Sequence, residues 1–114
     1  MAITITPHPR RVRVRFNGRT VVDTTRALAL QEGGYPPVLY LPRADADMAL
    51  LERTAQTTRC PHKGVASYYS LKAGDRTAAN AVWTYETPKE EVAAIKEHLA
   101  FYPDRVDAIE EVSG

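Results

Sequence analysis

The segment from Thr57 to Gly64 carries the residue types most able to support chemistry. It contains the only cysteine of the chain, Cys60, followed by Pro61, His62, Lys63 and Gly64. Nearby cations favour a cysteine thiolate, which is the nucleophilic form of the side chain. One hypothesis is therefore an enzyme in which Cys60 is a nucleophile or redox thiol, His62 an acid or base, and Lys63 a group that stabilises developing negative charge.

The same segment has two other interpretations. Pro61 biases Cys60 toward an extended backbone, and Gly64 can supply a left-handed turn that exposes the amides after it. Such a loop can bind an anion without covalent chemistry. It can also be a plain turn, with Cys60 packed as a small apolar residue at a strand edge. The residues alone leave all three interpretations open.

Aromatic residues recur along the strands that are expected to share one sheet system. Tryptophan and tyrosine combine an apolar body with a polar group, so they either fill a core or line a small-molecule pocket. A cationic or polar rim would come from Arg43, Cys60, His62 and Lys63. The sequence predicts a pocket for a small polar or anionic ligand, lined by Tyr40, Tyr68, Trp83, Tyr85 and Phe101.

Strict alternation predicts a strand at Arg11–Phe16, with its valines on one face and its arginines on the other. Asn17 and Gly18 are the favoured pair for a two-residue type I′ turn, so a second strand should return over Arg19–Asp23. This register places Asp23 opposite Val12 on the apolar face. A carboxylate there would need a partner.

The remaining pattern is mainly β. Asp45 is expected to open a short helical turn within Arg43–Glu52. Further strands are expected at Val38–Leu41, Val65–Leu71, Ala79–Tyr85 and Arg105–Glu110. The alternation in Ala27–Glu32 also favours a strand, although its alanine content fits a helix.

One helix is expected after the last aromatic strand. Thr87 suits the N-cap, Pro88 the first helical position, and Glu90 the closing position of a capping box. Val92, Ile95 and Leu99 would share its apolar face. The expected fold class is mainly β (α+β), an antiparallel two-sheet domain with one definite helix in the C-terminal half.

Composition limits the class of protein. The 114 residues fit a single domain over 1–114, and a formal net charge of +1 offers little attraction for nucleic acid. No apolar run approaches the roughly 20 residues of a membrane span, and the N-terminus has no signal-peptide pattern. We expect a cytoplasmic protein with no nucleic-acid or membrane partner.

Metal binding is also disfavoured by the sequence. Cys60, His62, His8 and His98 could supply four zinc ligands, but their spacing fits no familiar structural site. A single cysteine excludes both an intramolecular disulfide and a paired-cysteine zinc site. We expect no metal and no cofactor.

The order of several motifs resembles the domain-of-unknown-function family numbered 427, which is filed under a nucleotidyltransferase-like label. The motifs are Asn17-Gly18, Tyr40-Leu41-Pro42-Arg43-Ala44-Asp45, Thr58-Arg59-Cys60-Pro61-His62-Lys63-Gly64 with Tyr68-Tyr69, Trp83-Thr84-Tyr85 with Pro88, and Phe101-Tyr102-Pro103. The resemblance covers roughly residues 8 to 109. At His62, family members often carry an aromatic residue.

The resemblance implies a β-tent-like architecture, in which two antiparallel sheets meet at an angle and enclose a site between them. Relatives with that architecture include methionine sulfoxide reductase B and the drug-binding domain of cereblon. Nucleotidyltransferase activity normally needs acidic metal ligands and a phosphate-binding backbone. Asp45-Ala46-Asp47 has the acid-x-acid spacing of some metal-dependent nucleotide enzymes, but it is expected to cap a helical turn, and no glycine-rich phosphate loop accompanies it. Fold likeness alone does not assign function.

Three hypotheses follow for function. The first is a module that binds a small ligand in the aromatic pocket beside the cysteine loop. The second is the Cys60 enzyme. The third is a structural or interaction domain, which a closed aromatic core would favour, and a homodimer through an exposed strand edge also stays open.

Overall fold

The computed structural model describes residues 2–112, which form two antiparallel sheets. The larger sheet has seven strands in the order β1-β4-β5-β9-β8-β7-β6, and the smaller has three in the order β10-β2-β3. The strands are β1 (Ile3–Pro7), β2 (Arg11–Phe16), β3 (Arg19–Thr24), β4 (Leu28–Glu32), β5 (Val38–Pro42), β6 (Leu51–Cys60), β7 (Gly64–Ala73), β8 (Arg76–Thr84), β9 (His98–Phe101) and β10 (Ala108–Val112). A mainly β fold with two antiparallel sheets is thus confirmed.

Apolar side chains cover both faces of the seven-stranded sheet. Between the two sheets lies an inner cluster, to which the small sheet contributes Val12, Val14 and Phe16 and the large sheet Leu71 and Val82. On the opposite face of the large sheet lies an outer cluster of buried residues, namely Leu30, Tyr40, Ala66, Tyr68, Tyr85, Val92, Ile95 and Ala100. Successive strand residues point to opposite faces, so one strand can serve both clusters.

The hairpin of β2 and β3 is confirmed, but the predicted register is wrong beyond the first two pairs. A bulge between Val14 and the next residue shifts the pairing, so that Asp23 lies opposite Arg13 rather than Val12. Asp23 therefore joins the arginine face, where Arg11 Nε donates a 2.7 Å hydrogen bond to it. This partner lowers the pKa of the Asp23 carboxyl. The bulge thus removes the buried carboxylate that a regular hairpin would create.

The expected C-terminal helix is wrong. The segment forms only a 3-10 turn over Glu90–Ile95, interrupted by non-helical backbone at Val92. The backbone at the expected helix start is bonded to another part of the chain, because the Lys89 N–H donates a 2.9 Å hydrogen bond to the Lys63 carbonyl. Only a few residues separate Lys89 from β9. A helix that short forms few hydrogen bonds, and these do not offset the free-energy cost of forming its first turn. Burial of Val92 and Ile95 is achieved without an α-helix.

Three strands were not expected from the sequence, namely β1, β6 and β9. The last strand begins at Ala108 rather than Arg105, because Pro103–Arg105 forms a 3-10 turn. The helical turn expected within Arg43–Glu52 becomes two 3-10 turns, Arg43–Asp45 and Met48–Leu50. No helix among the described residues is long and apolar enough to cross a membrane.

Candidate functional site

A partly open cavity of about 220 Å³ lies on the outer face of the seven-stranded sheet. We call it the tyrosine pocket, because five of the six tyrosines and the single tryptophan line it. Its walls are Leu30, Glu32, Tyr35, Pro36, Val38, Tyr40, Lys63, Tyr68, Trp83, Tyr85 and Tyr102. None of them comes from the three-stranded sheet. This cavity therefore lies on the face of the large sheet that points away from the three-stranded sheet.

The aromatic rings in the pocket are arranged around Trp83. Its indole lies edge-on to the Tyr40 ring at 6.4 Å between centroids and is tilted against the Tyr102 ring at 4.5 Å. The Trp83 Nε1–H donates a 3.3 Å hydrogen bond to the Tyr40 hydroxyl. These contacts fix the indole plane and leave Trp83 only half-buried beside the cavity.

Three hydroxyl groups form a chain along another wall. The Tyr68 hydroxyl is 2.9 Å from Thr58 Oγ1 and 3.5 Å from the Tyr102 hydroxyl. Burial, followed by the hydrogen bond with Tyr68, raises the pKa of Tyr102 to about 12. Burial also raises the pKa of Tyr40, against the opposing effect of the Trp83 hydrogen bond. At neutral pH the Tyr40 and Tyr102 hydroxyls therefore stay protonated and can donate hydrogen bonds.

The Tyr85 hydroxyl is a free polar group of the pocket wall. It has no hydrogen-bond partner among residues 2–112, whereas every fully buried side-chain polar atom there has one. The Tyr85 hydroxyl must therefore reach the surface of the cavity, although the residue as a whole is only 5% exposed. Burial raises the pKa of Tyr85, so this hydroxyl is also neutral.

One ion pair supplies the charge in the pocket wall. The Lys63 Nζ donates a 2.9 Å hydrogen bond to Glu32 Oε1, and the two side chains are only 12% and 20% exposed. Burial lowers the pKa of Lys63, but the hydrogen bond to Glu32 and neighbouring negative groups outweigh it and leave the pKa raised. Lys63 is therefore charged at neutral pH, and Glu32 balances that charge.

The cysteine loop is the turn between β6 and β7. Cys60 and Gly64 lie opposite each other, and the Lys63 N–H donates to the Cys60 carbonyl at 3.3 Å. Cys60 is half-buried and packs against the outer cluster without lining the pocket. His62 is exposed and has no hydrogen bond within the described range. Of the three candidate catalytic residues, only Lys63 reaches the pocket.

Two candidate ligand residues lie away from the pocket. Phe101 belongs to the inner cluster, because it points to the opposite face from its neighbour Tyr102. The Arg43 guanidinium donates a 3.0 Å hydrogen bond to the Tyr69 hydroxyl and lies 5.7 Å from that ring centroid. Tyr69 is the one tyrosine outside the pocket wall. The structure thus brings together Tyr40, Tyr68, Trp83, Tyr85 and Lys63, but not Arg43 or Phe101.

Sequence reasoning missed Glu32, Tyr35 and Tyr102 as pocket residues. The sequence identifies Phe101 and Tyr102 as an aromatic pair. It does not show the register of β9, and therefore not which of the two rings faces the outer cluster. Glu32 reaches Lys63 only because the large sheet curves enough to bring β4 to the β6–β7 turn. No local sequence signal reports such a contact.

Metal-ligating side chains do not gather in this part of the molecule. Within residues 2–112 there is no group of three or more histidine, cysteine or acidic side chains that could hold a metal ion.

The comparisons with known proteins identify the family. No curated protein matches the chain significantly. A family model described as a domain of unknown function, DUF427, matches residues 4–112, so the chain belongs to that family, as the sequence motifs had indicated.

Proposed function

We propose that this protein binds a small, uncharged molecule that carries one ring and polar substituents, and that the ligand occupies the tyrosine pocket. The observation that carries this proposal is the gathering of five tyrosines and the only tryptophan around one open cavity. Aromatic side chains used only as core filling would close on one another. Here they leave room beside hydroxyl groups.

The size of the cavity supports a single ring. An apolar cavity of about 150 Å³ holds benzene, so about 220 Å³ accommodates a substituted ring but no extended molecule. The Trp83 indole offers a flat face, and aromatic pairs favour offset or edge-on contact. A planar ligand therefore gains both burial and ring contacts.

The charges of the pocket favour an uncharged ligand. Lys63 and Glu32 neutralise each other at 2.9 Å, so the Glu32 carboxylate repels an anionic ligand that approaches the ammonium group. A neutral ligand can use the Tyr85 hydroxyl without breaking that pair. An anionic ligand is therefore expected to bind the wild-type protein more weakly than an uncharged one.

The test uses three related probes, namely 4-hydroxybenzamide, 4-hydroxybenzoate and 4-hydroxybenzylamine. Trp83 is the only tryptophan and lines this pocket, so its fluorescence responds to a bound probe, and the variants described next locate the binding. We expect saturable binding of the neutral amide, and weaker binding of the anion and the cation. Equal, non-saturable responses to all three would overturn the proposal.

Matched variants locate the binding. Tyr85→Phe keeps the ring and removes the unpartnered hydroxyl, so the amide should bind about three- to tenfold more weakly, as expected for one lost hydrogen bond. Tyr69→Phe is the control, because Tyr69 lies on the other face of the sheet. Equal loss of affinity in both variants would contradict binding in the tyrosine pocket.

A further inference from the structure

The seven-stranded sheet is split between β5 and β9. The ladder joining these strands has only two pairs, Leu41 with Leu99 and Pro42 with His98. The register would next pair Tyr40 with Ala100 and then Leu39 with Phe101, but these residues lie outside the ladder. The two strands therefore separate toward one end of the sheet.

Alternation along β5 shows which backbone groups face this split. The Arg43 N–H donates to the Glu97 carbonyl, and Leu41 pairs with Leu99 two residues earlier in β5. Backbone groups of every second residue point to the same neighbouring strand in an antiparallel ladder. The N–H and C=O of Leu39 therefore point toward β9.

The same reasoning applies to β9. The Tyr102 N–H donates a 3.0 Å hydrogen bond to the Ala81 carbonyl, which continues the β8–β9 pairing. Tyr102 thus directs its backbone groups to β8, and its neighbour Phe101 directs them to β5. Leu39 and Phe101 face each other across the split.

A second cavity, of about 290 Å³, lies at this split on the side of the inner cluster. We call it the split pocket. No charged side chain lines it, and its walls are Pro37, Val38, Leu39, Leu41, Trp83, Phe101, Pro103 and Ile109. Both residues whose backbone groups face the split are among them. The cavity therefore combines an apolar, uncharged wall with main-chain donors and acceptors.

We propose that the split pocket binds a small uncharged molecule with a secondary amide flanked by apolar groups. A trans amide presents its N–H and its C=O on opposite sides, as a peptide unit in the middle of a sheet does. Placed between β5 and β9, it donates to a Leu39 or Phe101 carbonyl and accepts from an N–H of the opposite strand. Its flanking groups contact the apolar walls, as in peptide recognition by strand addition.

The split pocket is distinct from the tyrosine pocket. It lies on the inner side of the sheet, and only Val38 and Trp83 line both cavities. Ligand binding at the split therefore does not depend on the function proposed for the tyrosine pocket.

The probe is N-isobutyl isovaleramide, and the matched compound is its ester, isobutyl isovalerate. The ester has the same shape and apolar groups but no N–H to donate. Titrations of the uniformly ¹⁵N-labelled protein should show saturable binding of the amide, with the Leu39 and Phe101 backbone resonances shifting most. The ester should bind about tenfold more weakly. Equal binding of amide and ester, no saturation, or shifts confined to other residues would overturn the proposal.

Hydrogen exchange tests the premise without any variant. In the free protein the Leu39 and Phe101 amides should exchange faster than those of Leu41 and Leu99, which lie in the ladder. The amide probe should slow the exchange of Leu39 and Phe101. Equal protection of all four amides in the free protein would contradict the split.

Paired variants on β10 locate the site. Ile109→Phe enlarges a side chain that lines the split pocket, whereas Glu110→Phe places the same ring on an exposed neighbour. The amide should bind at least about tenfold more weakly to Ile109→Phe and with unchanged affinity to Glu110→Phe. Equal affinities for the two variants would place the amide elsewhere and overturn the proposal, and the wild-type titration and exchange data decide the question if Ile109→Phe does not fold.

Discussion

The Lys63 ammonium group donates a 2.9 Å hydrogen bond to Glu32 Oε1 across the curved outer face of the large sheet. β4 carries Glu32 near one edge of that sheet, and the turn with Lys63 joins the two strands at the other edge. The pair therefore holds together elements far apart in strand order. It also keeps the pocket electrically balanced.

Glu32→Gln should change the ligand preference of the tyrosine pocket. The substitution keeps a hydrogen-bond acceptor for Lys63 but removes the balancing charge, so the ammonium group becomes available to an anion. The affinity ratio of 4-hydroxybenzoate to 4-hydroxybenzamide should rise by roughly tenfold. Fluorescence titration of both probes measures it. Glu52→Gln, which removes a surface partner of Lys72, should leave the ratio unchanged.

Tyr40→Phe should lower stability through the indole of Trp83. The Trp83 Nε1–H loses its acceptor in a largely buried setting, which costs about 1 kcal/mol of unfolding free energy. Urea unfolding followed by circular dichroism measures this loss. Tyr35→Phe is the comparison, since Tyr35 is 64% exposed and its stability change should be near zero. Equal changes in the unfolding free energy of Tyr40→Phe and Tyr35→Phe would show that the Trp83 hydrogen bond does not stabilise the protein.

Gly64→Ala should destabilise the cysteine loop. Gly64 has a φ of +112°, a conformation that L side chains rarely adopt, and an added Cβ would lie 3.5 Å from the Thr87 carbonyl oxygen. The strain should cost about 1–3 kcal/mol. Gly34→Ala is the matched control, because an added Cβ there meets no atom within 4 Å and the backbone is not left-handed. Thermal unfolding that gives the same midpoint for both variants would refute the role assigned to Gly64.

Asp45→Asn should lower the free energy of unfolding at neutral pH but not at acidic pH. Asp45 accepts hydrogen bonds from the Arg26 guanidinium and, at 2.6 Å, from the buried Thr24 hydroxyl, and these bonds lower the pKa of its carboxyl. A lowered pKa gives stability that is present above the unfolded value near 4 and is lost as pH falls through the folded value. The variant should lose about 1 kcal/mol at pH 7 and nothing well below the folded pKa.

Denaturant unfolding across pH 2–7 measures this difference between wild type and Asp45→Asn. Asp75→Asn serves as the control, because Asp75 is exposed in the β7–β8 turn and has no hydrogen bond among the described residues. A constant gap between wild type and Asp45→Asn at every pH would rule out the charge as its cause.

Cys60 should react slowly in the folded protein. Its half-buried side chain packs against the outer cluster, which restricts access to the sulfur in the folded protein. Alkylation by iodoacetamide should be at least about tenfold slower in native than in denatured protein at the same pH. A native rate equal to or above the denatured rate would instead favour the hypothesis that Cys60 is an enzymatic nucleophile.

Sequence patterns predicted the regular strands because their alternation is local. The alternation in Arg11–Phe16 predicted which side chains share a face, and Asn17-Gly18 predicted the turn to the next strand. The structure confirms both predictions. The position of Asp23 was not predicted, because it depends on the bulge that shifts the pairing register. That bulge forms only when the valines of β3 pack into the inner cluster. Local pattern cannot report that requirement.

The missing helix has a similar cause. Thr87, Pro88 and Glu90 form a complete helix-start signal, but tertiary contacts override it. Lys89 is bonded to the Lys63 carbonyl, and Glu97 adopts a positive φ just before β9 begins. Tyr40, Tyr68, Trp83, Tyr85 and Lys63 of the candidate site were predicted from the sequence, but Glu32, Tyr35 and Tyr102 were not. The positions of Glu32 and Tyr102 depend on sheet curvature and strand register.

The most direct test of the central claim is a titration of ¹⁵N-labelled protein with 4-hydroxybenzamide, followed at the Trp83 indole N–H. The proposed function predicts a saturable shift of this resonance, accompanied by the backbone amides of Lys63 and Tyr85, with Arg43 unchanged. An indole resonance that does not move while the probe binds elsewhere, or no saturation up to the solubility limit, would contradict a ligand site in the tyrosine pocket.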